Sequence, residues 1–218
     1  MSAADKYKRE VGRLLTESFS GEFSFYKSSL ELRRKSNNGN DVIVLSGSNK
    51  YSPYISLSFY FGKNYASVKQ LEKALGINQM LYHVQQYSPN TPAMAGLKYS
   101  GPYTWDIDLT NPPHNVIHQL HNAVVGIAFP FFERFASMTE ARATIAGNDS
   151  WCFGGDIFWR QLLSIDATLN GLDHFRQWSS HLEPFTAGQA SSALAAVEGL
   201  LAARPNNSFK PKPLRGSA

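Results

Sequence analysis

Apolar and polar side chains alternate most cleanly at Ile55, Leu57, Phe59 and Phe61, with Ser56, Ser58 and Tyr60 between them. That period of two belongs to a strand with one face in a core. Val42 to Leu45 is apolar at every position, so it reads as an interior strand covered on both faces. Ser46-Gly47-Ser48-Asn49-Lys50-Tyr51-Ser52-Pro53 between these segments is turn chemistry of a length that suits an exposed loop. Upstream, Phe23 with Phe25 and Leu30 with Leu32 predict two short strands, and Asn37-Asn38-Gly39-Asn40 turns the chain into the interior strand. Four consecutive strands make a meander. Trp105, Ile107 and Leu109, alternating with Thr104, Asp106 and Asp108, predict one more strand for the same sheet.

The helical period appears elsewhere. Tyr7, Val11, Leu14, Leu15 and Phe19 recur at helical spacing from about Ala4 to Phe19, with Gly21 as the stop. Val68, Leu71 and Leu75 predict a second helix closed by Gly76. Asn111-Pro112 reads as cap and first turn of a third, which carries Val116, Ile117, Leu120, Val124 and Ile127 until Pro130 interrupts it. A restart at Ser137-Met138-Thr139-Glu140 and three further segments, about 156–169, 172–182 and 187–203, follow. The expected fold is therefore α+β: an antiparallel sheet of about five strands covered by helices, with a C-terminal helical extension. Residues 1–147 form the α+β domain, 148–203 the extension packed on it, and 204–218 a tail with three prolines and little apolar content that predicts disorder.

Composition changes this picture little. At 218 residues, 43% hydrophobic and 17% charged, the chain can bury a core. It contains no apolar run of membrane-spanning length, and MSAADKYKRE lacks the apolar core of a signal peptide, so the expected location is cytoplasmic. The single cysteine, Cys152, excludes an intrachain disulfide. A formal charge of +4 raises the question of nucleic acid, but Arg204, Lys210, Lys212 and Arg215 in the tail account for all of it. A nucleic-acid-associated regulator, using Lys6, Lys8, Arg9 and Arg13 of the first helix, stays a minor alternative.

Three constellations carry candidate chemistry. His114, His118 and His121 are spaced by four and three, near one helical face, as a metal-dependent hydrolase would need, with Asp106 or Asp108 upstream as a further ligand. No Glu follows the first histidine as in the H-E-x-x-H motif. Cys152 has the residue types for nucleophilic catalysis, with His174 or His181 as base and Asp156 or Asp173 as orienting group. A lone cysteine between Trp151 and Phe153 is more often a small buried hydrophobe. Tyr82, Tyr87, Tyr99, Tyr103 and Trp105 gather in the least patterned stretch, and aromatic residues of this kind anchor protein interfaces. Gly154-Gly155 is followed by no lysine, and the chain has no dinucleotide or phosphate-loop motif, so no cofactor is expected.

The order helix, strands with ELRRKSNNGNDVIVLSGSNKYSPYISLSFYFG, helix, and later AVVGIAFPFFERFAS resembles the bacterial domain of unknown function 4304 over about residues 4–147. The resemblance implies no catalytic residues. It implies a non-enzymatic interaction protein, with a protein partner such as a toxin encoded by a neighbouring gene, which makes an immunity protein the leading expectation.

Overall fold

The computed structural model describes residues 2–49, 53–75, 84–86, 104–147, 156–181 and 184–202. Ser2 opens the first helix, α1 (Ala3–Ser18), by accepting a hydrogen bond from the Asp5 N–H through its side chain. Ala4, Tyr7, Val11, Leu14 and Leu15 form the buried stripe that the helical spacing predicts. The helix lies close on the sheet: a Cβ at Gly12 would stand 2.3 Å from the ring of Phe25. Only a residue without a side chain lets the two elements approach so near.

Strands β1 (Ser24–Tyr26), β2 (Glu31–Ser36), β3 (Gly39–Asn49) and β4 (Tyr54–Tyr65) pair in sequence order, all antiparallel, as the expected meander. The β2–β3 turn is tighter than Asn37 to Asn40, because Ser36 pairs with Gly39 directly. Gly39 has φ +152°, and a Cβ there would fall 1.8 Å from the Asn64 carbonyl oxygen. β3 is interior, with Val42, Ile43, Val44 and Leu45 all buried. Lys69, on the next helix, α2 (Ala66–Leu75), lies near Glu31 and Arg33 on the face of the sheet that also carries Val42 and Val44. Burial there lowers its pKa, and the Arg33 charge adds to that effect.

The structure corrects the loop expected from Ser46 to Pro53. β3 runs on through Ser46, Gly47, Ser48 and Asn49, which pair with Ser58, Leu57, Ser56 and Ile55. Turn-forming residues are held in a ladder here because their partners on β4 supply the hydrogen bonds and half the cover. β4 likewise extends past Phe61 to Tyr65.

The outer edge of β4 is shared. Phe61 to Lys63 pair with β5 (Val84–Gln86), and Tyr54 to Ser58 pair with β6 (Thr104–Asp108). Among the described residues the sheet is therefore five strands wide, with β5 and β6 occupying opposite ends of the fifth position.

α3 (His114–Ala123) begins later than Asn111, and Asn111 is not its cap. The cap position is Pro113, with no side-chain bond, because the preceding turn is fixed by Asp108, whose Oδ1 accepts from the Thr110 N–H and hydroxyl. Pro130 does not end the helix either. The chain passes through a π turn, Val124–Ala128, straight into α4 (Phe129–Arg134). The Phe129 N–H bonds the Val124 carbonyl five residues back, which absorbs the donor missing at Pro130. Phe131, Phe132 and Phe135 then bury against Phe61 and one another, and the Tyr65 hydroxyl donates to the Phe135 carbonyl at 2.7 Å.

α5 (Met138–Gly147), α6 (Asp156–Asn170), α7 (Leu172–Ser179) and α8 (Pro184–Ala202) complete the described chain. α6 packs on α2, α5, α7 and α8. Trp159, Leu162, Ile165 and Phe175 join the same apolar cluster as Phe61 and Phe131. This is an α+β protein with C-terminal helices, and no helix among the described residues is long and apolar enough to cross a membrane. Residues 203–218, with the expected tail, lie outside the described residues.

Candidate functional site

Where β6 runs into the turn before α3, the backbone sets strand residues opposite the first turns of a helix and leaves a cleft of about 330 Å³ between them. Tyr7 of α1 and Trp105 of β6 supply its aromatic lining, Asp106 and Asp108 its charge, and Asn111, Asn115 and Gln119 its amides. Trp105 alternates inward on β6 and is 6% exposed, its ring stacked on Phe59 at 5.9 Å between centroids. Its Nε1–H has no acceptor among the described residues. Trp105 is thus a core residue that also reaches the cleft rather than an exposed interface anchor. Tyr82, Tyr87, Tyr99 and Tyr103 lie outside the described residues.

The carboxyl of Asp108 is held below its ordinary pKa by the Thr110 N–H and then by the Thr110 hydroxyl. The Tyr7 phenol is pushed up by burial and stays protonated. Thr110→Val removes one of the two donors to Asp108, so its pKa is expected to rise toward the ordinary carboxylate value in an NMR titration of the side-chain carbon. The sign follows from linkage: stability from this contact is complete above the unfolded carboxylate pKa and is lost as pH falls through the lower native one. An Asp108 titration unchanged by the substitution would rule out the Thr110 hydroxyl as a cause.

The histidine helix divides. His121 stacks on Phe19 with centroids 4.5 Å apart, and its Nδ1 lies 3.0 Å from the Ser18 hydroxyl, which commits the ring to the α1–α3 contact. His114 and His118 are exposed, and His118 Nδ1 stands 3.4 Å from Asn122 Nδ2. Among the described residues no three His, Cys, Asp or Glu side chains converge as metal ligands.

Of the residues weighed for nucleophilic chemistry, Cys152 lies outside the described residues. His174 is oriented by a carboxylate other than Asp173: its Nδ1 is 3.0 Å from the fully buried Asp166, which also accepts from Arg142 Nε at 2.7 Å and Asn170 Nδ2 at 3.1 Å, while the side chain of Asp156 lies outside those described. Asp173 pairs with Arg176 instead. The carboxylate joins α5, α6 and α7, and Arg142 completes the junction by lying over the Trp178 ring at 4.8 Å. A lone Asp in the apolar run Leu162-Leu163-Ser164-Ile165-Asp166-Ala167 was the available signal for it.

A second buried charge cluster escaped sequence reasoning altogether. Arg34, Asp41 and Lys63 stand opposite one another on β2, β3 and β4. Asp41 accepts from the Lys63 ammonium through Oδ1 and from Arg34 Nε and Nη2 at 3.2 and 3.0 Å through Oδ2, while Lys63 also reaches the Ser36 hydroxyl at 3.2 Å. Lys63 is 1% exposed and Asp41 3%. Arg34 continues outward to Glu22 and lies over the rings of Phe23, Phe129 and Phe132. Of the basic side chains on α1 weighed for nucleic acid, Lys8 pairs with Asp5, and Arg13 with Glu10 and Glu17, at the surface of the helix.

No protein-family model matches this chain, and neither the curated proteins nor the solved structures contain a match.

Proposed function

We propose that this chain is a non-enzymatic, cytoplasmic protein-binding protein, of the immunity type that neutralises a toxin encoded by a neighbouring gene, in keeping with its resemblance to the bacterial domain of unknown function 4304. One observation supports the binding surface. The chain leaves the sheet at Gln86, opposite Phe61, and returns at Thr104, opposite Ser58. Those two points are three residues apart on β4, about 10 Å at roughly 3.4 Å per residue. Tyr87 follows the first of these points in sequence and Tyr103 precedes the second. Tyr54, 49% exposed, stands at the β6 end of that edge, where it pairs with Asp108. Tyrosine is among the residue types that most often act as hot spots of a protein interface.

The test is co-expression with the neighbouring gene product, followed by pull-down and a toxicity assay. Wild-type protein is expected to bind and protect, and Tyr87→Ala with Tyr103→Ala is expected to weaken binding by about 2 kcal/mol or more if either tyrosine is a hot spot. Absence of binding by the wild type removes the immunity proposal. Unchanged protection by a folded double variant places the contact surface away from residues 87–103.

A further inference from the structure

We propose that His174 is a covalent modification site that accepts a phosphoryl group at Nε2 from a small phosphoryl donor. This inference does not depend on the partner proposed above. The ring is held by its other nitrogen, Nδ1, which lies 3.0 Å from Asp166 Oδ2. Oδ1 of the same carboxylate accepts from Arg142 Nε at 2.7 Å and Asn170 Nδ2 at 3.1 Å. Asp166 is fully buried, whereas the His174 side chain is 46% exposed. A carboxylate only accepts, so the proton between the two groups belongs to Nδ1 and the neutral ring carries its lone pair on Nε2. Nε2 has no hydrogen-bond partner among the described residues. The junction of α6 and α7 thus fixes one tautomer of an exposed imidazole and leaves the nucleophilic nitrogen open. No other histidine is so placed among the described residues, where His121 stacks on Phe19 beside the Ser18 hydroxyl and His118 Nδ1 faces an Asn122 amide nitrogen.

An imidazole acts as a nucleophile through its unprotonated nitrogen, and a group that orients the ring by the other nitrogen prepares it for attack. As Nε2 bonds to phosphorus, the bond from phosphorus to the leaving group breaks and its electron pair goes with the leaving group. The ring keeps its Nδ1 proton and becomes cationic. Asp166 stabilises that cation through the hydrogen bond already in place, which strengthens as charge develops. Charge favours a phosphoryl group over an acyl group. Arg142 bonds Oδ1 of the carboxylate as His174 bonds Oδ2, so a guanidinium stands beside the imidazole and attracts an anionic group there. The preceding residue on α7, Asp173, offers little opposing repulsion because its carboxylate is paired with Arg176.

The experiment treats the full chain with potassium phosphoramidate, whose phosphorus–nitrogen bond breaks on transfer and whose nitrogen leaves as ammonia with the protons it already carries. Mass spectrometry of peptides kept at alkaline pH follows the label on each histidine with time. His174 is expected to be labelled about tenfold faster than the exposed His114, His118 and His181, the rate worth of one charge-assisted hydrogen bond that strengthens in the transition state. Asp166→Asn, in a chain shown by circular dichroism to be folded, is expected to bring His174 down to the rate of the others. That substitution also removes the partner of Arg142 and can unfold the junction, so the ranking within the wild type is a test by itself. A proton–nitrogen correlation spectrum of the wild type is expected to show neutral His174 as the Nδ1–H tautomer. Diethyl pyrocarbonate, which acylates imidazole and brings no charge, is expected to prefer His174 less strongly than phosphoramidate does. The proposal is overturned if the four histidines are labelled alike, if neutral His174 is the Nε2–H tautomer, if a folded Asp166→Asn chain is labelled as the wild type is, or if diethyl pyrocarbonate shows as large a preference.

Discussion

Replacing Asp41 with alanine is expected to destabilise the protein by about 3–5 kcal/mol, the cost of leaving one partner of a buried ion pair uncompensated. Lys63 is 1% exposed, and Asp41 is its charged partner on the neighbouring strand. Once the carboxylate is gone, the ammonium keeps, among the described residues, only the Ser36 hydroxyl, at 3.2 Å. The pair itself is a different matter. Asp41→Val together with Lys63→Met exchanges two desolvated charges for apolar groups of comparable size, and such replacements are often neutral or stabilising. The double variant is therefore expected to recover most of the loss, with Arg34 still held by Glu22 and by the rings of Phe23, Phe129 and Phe132. Urea unfolding of the wild type, the single variant and the double variant decides the matter. If the double variant is as unstable as Asp41→Ala, burial of Lys63 is not the source of the cost.

Phe59→Ala should also cost about 3–5 kcal/mol, since the ring is core and its removal leaves a cavity as well as lost transfer energy. Phe59 is buried between Phe61, 6.0 Å away between ring centroids, and Trp105, at 5.9 Å. Its neighbour Ser58 points to the opposite face and is partly exposed, so Ser58→Ala should change stability by no more than about 0.5 kcal/mol. Chemical denaturation of the two variants separates the faces of β4. Equal small losses would mean that the strand register is displaced by one residue, because such a slip exchanges the two faces.

The alternation that makes Phe59 a core position was legible in sequence because each residue from Ile55 to Phe61 reports its own face. The next four residues, Gly62, Lys63, Asn64 and Tyr65, belong to the same strand but hid it. A lysine in an apolar register looks like a strand end until its partner is known. That partner, Asp41, is 22 residues away and is identified only by the β3–β4 register. The same reasoning explains Ser46 to Asn49, whose local chemistry favours a turn and whose pairing makes a strand. Pro130 reads in sequence as an interruption, but the π turn just before it gave the ladder a second solution, a bond to the fifth residue back, and the chain stays helical through α4. The candidate cleft was half visible: Asp106, Asp108 and Trp105 were singled out before the structure placed them beside Asn111, Asn115 and Gln119. The three histidines share a helical phase by spacing, but Phe19 and Ser18 of α1 claim only His121.

The way β4 shares its outer edge also bears on how this protein can meet others. One margin of the sheet ends in β1, three residues long, and the other is divided between β5, also three residues, and β6, five. Among the described residues the open runs are short: β6, and Ser46 to Asn49 of β3, which β2 does not reach. Strand-by-strand self-association, the usual hazard of an exposed antiparallel sheet, therefore has little template here. A partner that docks by adding its own strand meets the same obstacle, so recognition falls to side chains, loops and helix faces.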